Sequence, residues 1–157
     1  MRTKLILIFL FFAFTNPVIS QTDYEAGKWY KESKSDDFGD INGYKYGYLN
    51  YDKFNYNFIV VRVEKSGLGI YQSNDSGTLE YYKLSGPYII KFKDNSGYMY
   101  SDESNMISSK GALVLNSYSK LYRQLTNGEG KTLSVVIYNG IGNRINSFNV
   151  SSFNPTF

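Results

Sequence analysis

The densest chemistry in this 157-residue sequence lies in the run Asp36-Asp37-Phe38-Gly39-Asp40-Ile41-Asn42-Gly43. Carboxylate and amide oxygens spaced around a glycine are how a loop gathers hard ligands for calcium. Setting Asn42-Gly43 at the glycine of that template puts Phe38 at the first ligand position and Leu49 at the last. Neither side chain carries an oxygen, so the template fails at both ends. Two of Asp36, Asp37 and Asp40, or one of them with a distant Glu, would also suit acid and base roles on a glycoside. That reaction needs two carboxyl groups facing each other across a cleft, which one loop does not supply. The plainer reading is a strand connection in which Asp side chains accept backbone N–H groups, Gly39 and Gly43 take special dihedrals, and Phe38 plugs the core.

The tyrosines are the second candidate. Tyr44, Tyr46 and Tyr48 alternate along an extended segment, which places the three rings on one face. A flat aromatic platform can stack on the C–H face of a sugar, and Tyr98 and Tyr100 would extend it if the two strands were neighbours. Tyrosine also dominates protein-recognition surfaces because it offers area at low entropy cost. Against both stands its ordinary use as a strand residue covering a sheet. Tyr44, Tyr46, Tyr48, Asp37 and Asp40 are therefore the candidate binding residues, and no set reaches the standard for a catalytic, cofactor or metal assignment.

Three further strings imitate known sites and fail. Asp37-Phe38-Gly39 echoes the kinase metal-binding triplet, but the chain has no histidine for the catalytic loop that must accompany it. Gly130-Lys131-Thr132 resembles the end of a phosphate loop whose leading glycine position is here Leu125. Ser117-Tyr118-Ser119-Lys120 matches an S-x-x-K string without its companion motifs. With no His and no Cys, imidazole bases, thiol nucleophiles, zinc fingers and disulfides are excluded. No cofactor is expected.

The elements that must position these residues begin after an N-terminal leader. Arg2 and Lys4 precede the apolar run from Leu5 to Phe14, with Pro17 and Ser20 following. A basic head, a short apolar stretch and a small exit residue describe a signal peptide over residues 1–20, cut after Ser20 to leave Gln21 first. Ten apolar residues are too few to span a bilayer, which takes about 20, so no membrane insertion is expected once the leader is gone. Its loss removes two of 17 basic residues and none of 14 acidic ones, so a net charge of +3 falls to +1. The remaining cations are scattered, which argues against nucleic acid as a partner.

Residues 21–157 read as one domain. Period-2 apolar runs recur between Asn, Asp, Ser and Gly clusters, the pattern of an all-β, mainly antiparallel sandwich. Expected strands begin at Trp29-Tyr30 and continue through Tyr44–Leu49, Phe58–Glu64, Leu68–Tyr71, Leu79–Leu84, Tyr88–Lys93, Tyr98–Tyr100, Ala112–Leu115, Lys131–Asn139 and Arg144–Val150. Ile59, Val61 and Val63 face one way, as do Leu133, Val135 and Ile137. Asp94–Gly97 reads as a turn. One short α-helix is expected near 117–126, where Tyr118, Leu121, Tyr122 and Leu125 share a helical face behind an Asn116/Ser117 cap and before Asn127-Gly128. About eight or nine strands and that helix make up the domain.

Asp37-Phe38-Gly39-Asp40, followed by Gly43 and Lys45-Tyr46, resembles a D-x-F-G-D-x-x-G-x-K-Y pattern of small exported bacterial proteins of unassigned function. Those proteins look like β-sandwiches with a short helix before the last two strands, and the similarity runs from Trp29 to the closing strand. Where they carry an Asn-Ser-Ala stretch, this chain has Lys53-Phe54-Asn55-Tyr56. The resemblance implies fold and export, and no chemistry. The expected role is thus a secreted or periplasmic, non-catalytic binding domain for a protein or a cell-envelope component. The alternatives are a carbohydrate-binding module on the tyrosine platform and a small carboxylate-dependent hydrolase.

Overall fold

The computed structural model describes residues 25–51, 58–73, 86–108, 111–128 and 130–157. Its elements in chain order are β1 (Trp29–Ser35), β2 (Ile41–Tyr51), β3 (Phe58–Glu64), β4 (Gly67–Ser73), β5 (Tyr88–Lys93), β6 (Met99–Ser104), β7 (Leu113–Asn116), α1 (Lys120–Thr126), β8 (Thr132–Tyr138) and β9 (Arg144–Ser151). They form two antiparallel sheets, one ordered β1-β2-β3-β4-β7 and the other β6-β5-β8-β9. The described residues form an all-β sandwich with one short helix. The expected leader at 1–20 and the expected strand Leu79–Leu84 lie outside the described residues.

Alternation builds the core as the sequence anticipates. Ile59, Val61 and Val63 of β3 and Leu133, Val135 and Ile137 of β8 are all buried, as are Ile90 and Phe92 of β5. Their alternate neighbours face out, so one apolar residue in two suffices to fill the space between the layers. The two long seams of the sandwich close by different means. At one seam the chain beyond β6 pairs with β7: Val114 N–H donates to the Met106 carbonyl (2.9 Å) and Ile107 bridges Leu113. At the other seam no ladder forms between β1 and β9. Instead the Trp29 indole donates to the Ser151 carbonyl (2.6 Å), and the Asn50 amide donates to the Asn149 carbonyl. These side chains occupy backbone groups that an edge strand would otherwise leave unpaired.

Helix α1 seals one end. Leu121, Tyr122 and Leu125 are buried, and the Tyr122 hydroxyl donates to the Glu64 carbonyl (3.0 Å) in the β3–β4 turn. The helix begins later than its apolar spacing suggests. Ser119, rather than Asn116 or Ser117, is the cap, with its Oγ accepting from Tyr122 N–H (3.2 Å). Asp102 of β6 takes the Lys120 and Leu121 N–H groups (3.0 and 2.7 Å), a capping partner supplied by the opposite sheet. Asn116 instead turns the preceding chain by accepting from Tyr118 N–H (2.9 Å), which leaves Tyr118 outside the helix and 83% exposed. The expected place of Tyr118 on the buried helical face is therefore corrected.

Candidate functional site

Four connections close alike: a residue with a side-chain acceptor takes on its carbonyl the N–H of a glycine three positions on. The Gly39, Gly97, Gly111 and Gly142 N–H groups donate to the carbonyls of Asp36, Asp94, Ser108 and Asn139 (3.1, 3.0, 2.8 and 2.9 Å). All four glycines have φ between 76 and 90°. Each of these glycines thus sits in the left-handed region, which it adopts without the steric cost of a Cβ. The first residue also takes N–H groups on its side chain, as with Asn139 Oδ1 from Asn143 N–H (2.8 Å) and Ser108 Oγ from Ala112 N–H (3.0 Å).

The Asp36 turn is the one that carries the acidic string. Asp36 Oδ1 accepts from both Phe38 N–H (2.9 Å) and Asp40 N–H (3.0 Å). Asp36 is thus spent on holding the loop. Asp37 and Asp40 are exposed, and their carboxylates accept no hydrogen bond from any described residue. Phe38, expected in the core, is 93% exposed at the tip, and Ile41 just past the turn is 61% exposed. The reason lies in the register. β2 pairs with β3 only from Tyr46 onward, so residues 41–45 pair with β1 alone and the hairpin runs past the sheet. Among the described residues nothing covers Phe38 at its end. Ion pairs Lys34–Glu64 (2.7 Å) and Lys45–Glu32 (3.0 Å) sit at its root.

The tyrosines meet the opposite fate. Tyr46 and Tyr48 are buried, and Tyr44 packs partly against the same cluster. The chain's own last residues cover Tyr46, and Trp29 packs on Tyr48 (5.0 Å). Phe153 stacks on Trp29 (3.9 Å) and tilts against Tyr46 (5.0 Å), and Phe157 meets Tyr46 edge-on (5.8 Å). Thr156 N–H donates to the Tyr46 hydroxyl (2.9 Å), and Lys31 lies 3.7 Å from the centroid of the Tyr44 ring. Burial alone would raise the Tyr46 phenol, but the Thr156 bonds and the Lys31 ammonium outweigh it and hold the group below its ordinary value. An open, coplanar platform at Tyr44, Tyr46 and Tyr48 is therefore not what the sequence builds. Nor do Tyr98 and Tyr100 extend it, because β6 belongs to the other sheet. Tyr100 stacks on buried Phe92 (5.2 Å) instead.

Among the described residues no group of three or more His, Cys, Asp or Glu side chains is placed to hold a metal ion. No described helix is long and apolar enough to cross a membrane. What the arrangement offers is physical: one aromatic ring and one aliphatic side chain, two free carboxylates, and a turn locked from within. Of the sequence candidates, Asp37 and Asp40 fall at this tip. Phe38 and Ile41 were not among them, although the D-x-x-G signature that lifts Phe38 outward was present in the string. No family model, no curated protein and no solved structure matches the chain.

Proposed function

We propose that the protein is an exported, non-catalytic recognition domain that engages a partner protein through the tip of the β1–β2 hairpin. The observation that carries this reading is Phe38, a large apolar ring at 93% exposure on a turn fixed by two bonds to Asp36. Burying such a ring in a partner's socket gains about 2–3 kcal/mol. Because the turn is already ordered, little of that gain is lost to fixing the loop on binding. Asp37 and Asp40 flank the ring, so the matching socket is apolar with a basic rim; complementary charge of this kind speeds encounter and selects partners. The leader at residues 1–20 supports export, with the domain acting in the periplasm or outside the cell.

A tyrosine-platform lectin would stack sugar on rings of which Tyr46 is here covered by Phe153 and Phe157 and Tyr48 is packed on Trp29. A carboxylate hydrolase would need Asp37 and Asp40 to face a cleft, whereas both ride on an exposed tip. The test is capture from secreted or periplasmic extract by the chain beginning at Gln21. The wild type retains a stoichiometric partner, and Phe38→Ala weakens retention about 30-fold or more, as loss of a central aromatic anchor does. Tyr118→Ala, which removes another highly exposed ring, leaves retention unchanged. Equal capture by the wild type and Phe38→Ala would sink the proposal.

A further inference from the structure

The outer faces of the two sheets use charge differently. On the five-stranded sheet, Glu32, Lys45, Glu64 and Lys34 neutralise one another in two ion pairs. On the four-stranded sheet, the alternation that buries Ile90 and Phe92 turns Lys91 and Lys93 outward, both exposed. Neither lysine pairs with a carboxylate among the described residues. Lys91 lies 5.3 Å from the centroid of the Tyr138 ring. The two ammonium stems are about 7 Å apart along the central strand β5. Cross-strand register sets Ser101 opposite Lys91 and Ser134 opposite Lys93. The Lys91 row continues through Val136 to Ser147, and the Lys93 row runs from exposed Met99 through Ser134 to Asn149. The only carboxylate on the outward positions of these four strands is Glu103, one row further along the edge strand.

We propose that this face binds an acidic polysaccharide, with sugar carboxylates on Lys91 and Lys93 and sugar hydroxyls on the flanking Ser and Asn side chains. The chemistry of the face selects that class. The backbone groups of β5 and β8, between two neighbours each, are committed to the ladders, so an extended acidic peptide lying here finds no main chain to pair with. Side-chain hydroxyls and amides both donate and accept, as do the hydroxyls of a sugar. Two lysines are too few to follow a nucleic-acid backbone, and the Tyr138 ring, which would have to stack on a base, lies under Lys91. The face is separate from the hairpin tip, and this inference does not rest on the role given to Phe38.

Affinity electrophoresis tests it, using the chain from Gln21 in gels containing polygalacturonate, neutral dextran, poly-glutamate or single-stranded DNA. Polygalacturonate retards the protein, dextran does not, and poly-glutamate and DNA retard it at least tenfold less. Lys91→Gln with Lys93→Gln weakens the polygalacturonate interaction at least tenfold, and Lys91→Glu with Lys93→Glu abolishes it. Both sites are exposed, so thermal melting of the variants stays at the wild-type value, and Phe38→Ala binds polygalacturonate as the wild type does. Absence of retardation, an unaffected double variant, or equal retardation by poly-glutamate or DNA overturns the inference.

Discussion

The two ends of β2 carry similar residues and do opposite things. From Ile41 to Lys45 the strand has β1 as its only neighbour and leads out of an exposed hairpin tip. From Tyr46 to Tyr48 it lies between β1 and β3, with Phe153 against the Tyr46 ring and Trp29 against the Tyr48 ring. Phe38, at the tip beyond the first end, points into solvent; Tyr44 is partly buried, and Tyr46 and Tyr48 further along become core. Alternation fixes which side chains share a face. Whether that face is a binding surface depends on whether a second layer stands opposite it.

The largest effect that can break this contrast is on stability. Tyr48→Ala removes a buried ring packed on Trp29 (5.0 Å) and lowers the unfolding free energy by about 3–4 kcal/mol in urea titration. Phe38→Ala changes it by no more than about 0.5 kcal/mol. A large loss in the Phe38 variant would mean that the tip is structural after all. A smaller effect probes the rigidity of the tip. Gly39 sits at φ 90°, where a Cβ is strained, so Gly39→Ala costs about 1 kcal/mol and weakens partner capture several-fold. Capture unchanged beside that loss would show that the turn geometry does not matter for recognition.

The smallest effect lies in alkaline stability. The Tyr46 phenol is held below its ordinary value, so the folded chain releases that proton before the unfolded chain does, and Tyr46 adds stability as pH rises toward 10. Burial pushes the Tyr122 phenol up, so its contribution is complete below pH 10 and is lost as pH climbs through the folded value. Urea melts between pH 8 and 11 should therefore show a steeper alkaline loss in Tyr46→Phe than in the wild type, and a shallower one in Tyr122→Phe. The reverse order would contradict the covering of Tyr46 by Thr156 and Lys31.

Local patterns were legible and distant partners were not. The inward sets of β3 and β8, the Asp94–Gly97 turn and the sandwich class follow from alternation and turn chemistry within a few residues. That Tyr44, Tyr46 and Tyr48 share a face was equally plain. What covers Tyr46 is a Phe more than a hundred positions along, and Tyr48 is packed on Trp29; no periodicity in β2 announces either. Tyr118 satisfied the helical spacing, but hydrogen bonds by Asn116 and Ser119 delay the helix past it. Phe38 was misplaced because an aromatic ring beside a turn reads as core. The D-x-x-G signature, which recurs with Asp, Asn or Ser at three other connections, was the local cue that this residue sits at an apex.

The most direct measurement places a photoactivatable benzoylphenylalanine at position 38 or, in a second sample, at position 118, and irradiates each in secreted or periplasmic extract. Both sites are exposed aromatics, at 93% and 83%. A recognition tip predicts one dominant crosslinked protein from position 38 and none from 118. Indiscriminate labelling from both positions, or no adduct from position 38, would contradict it.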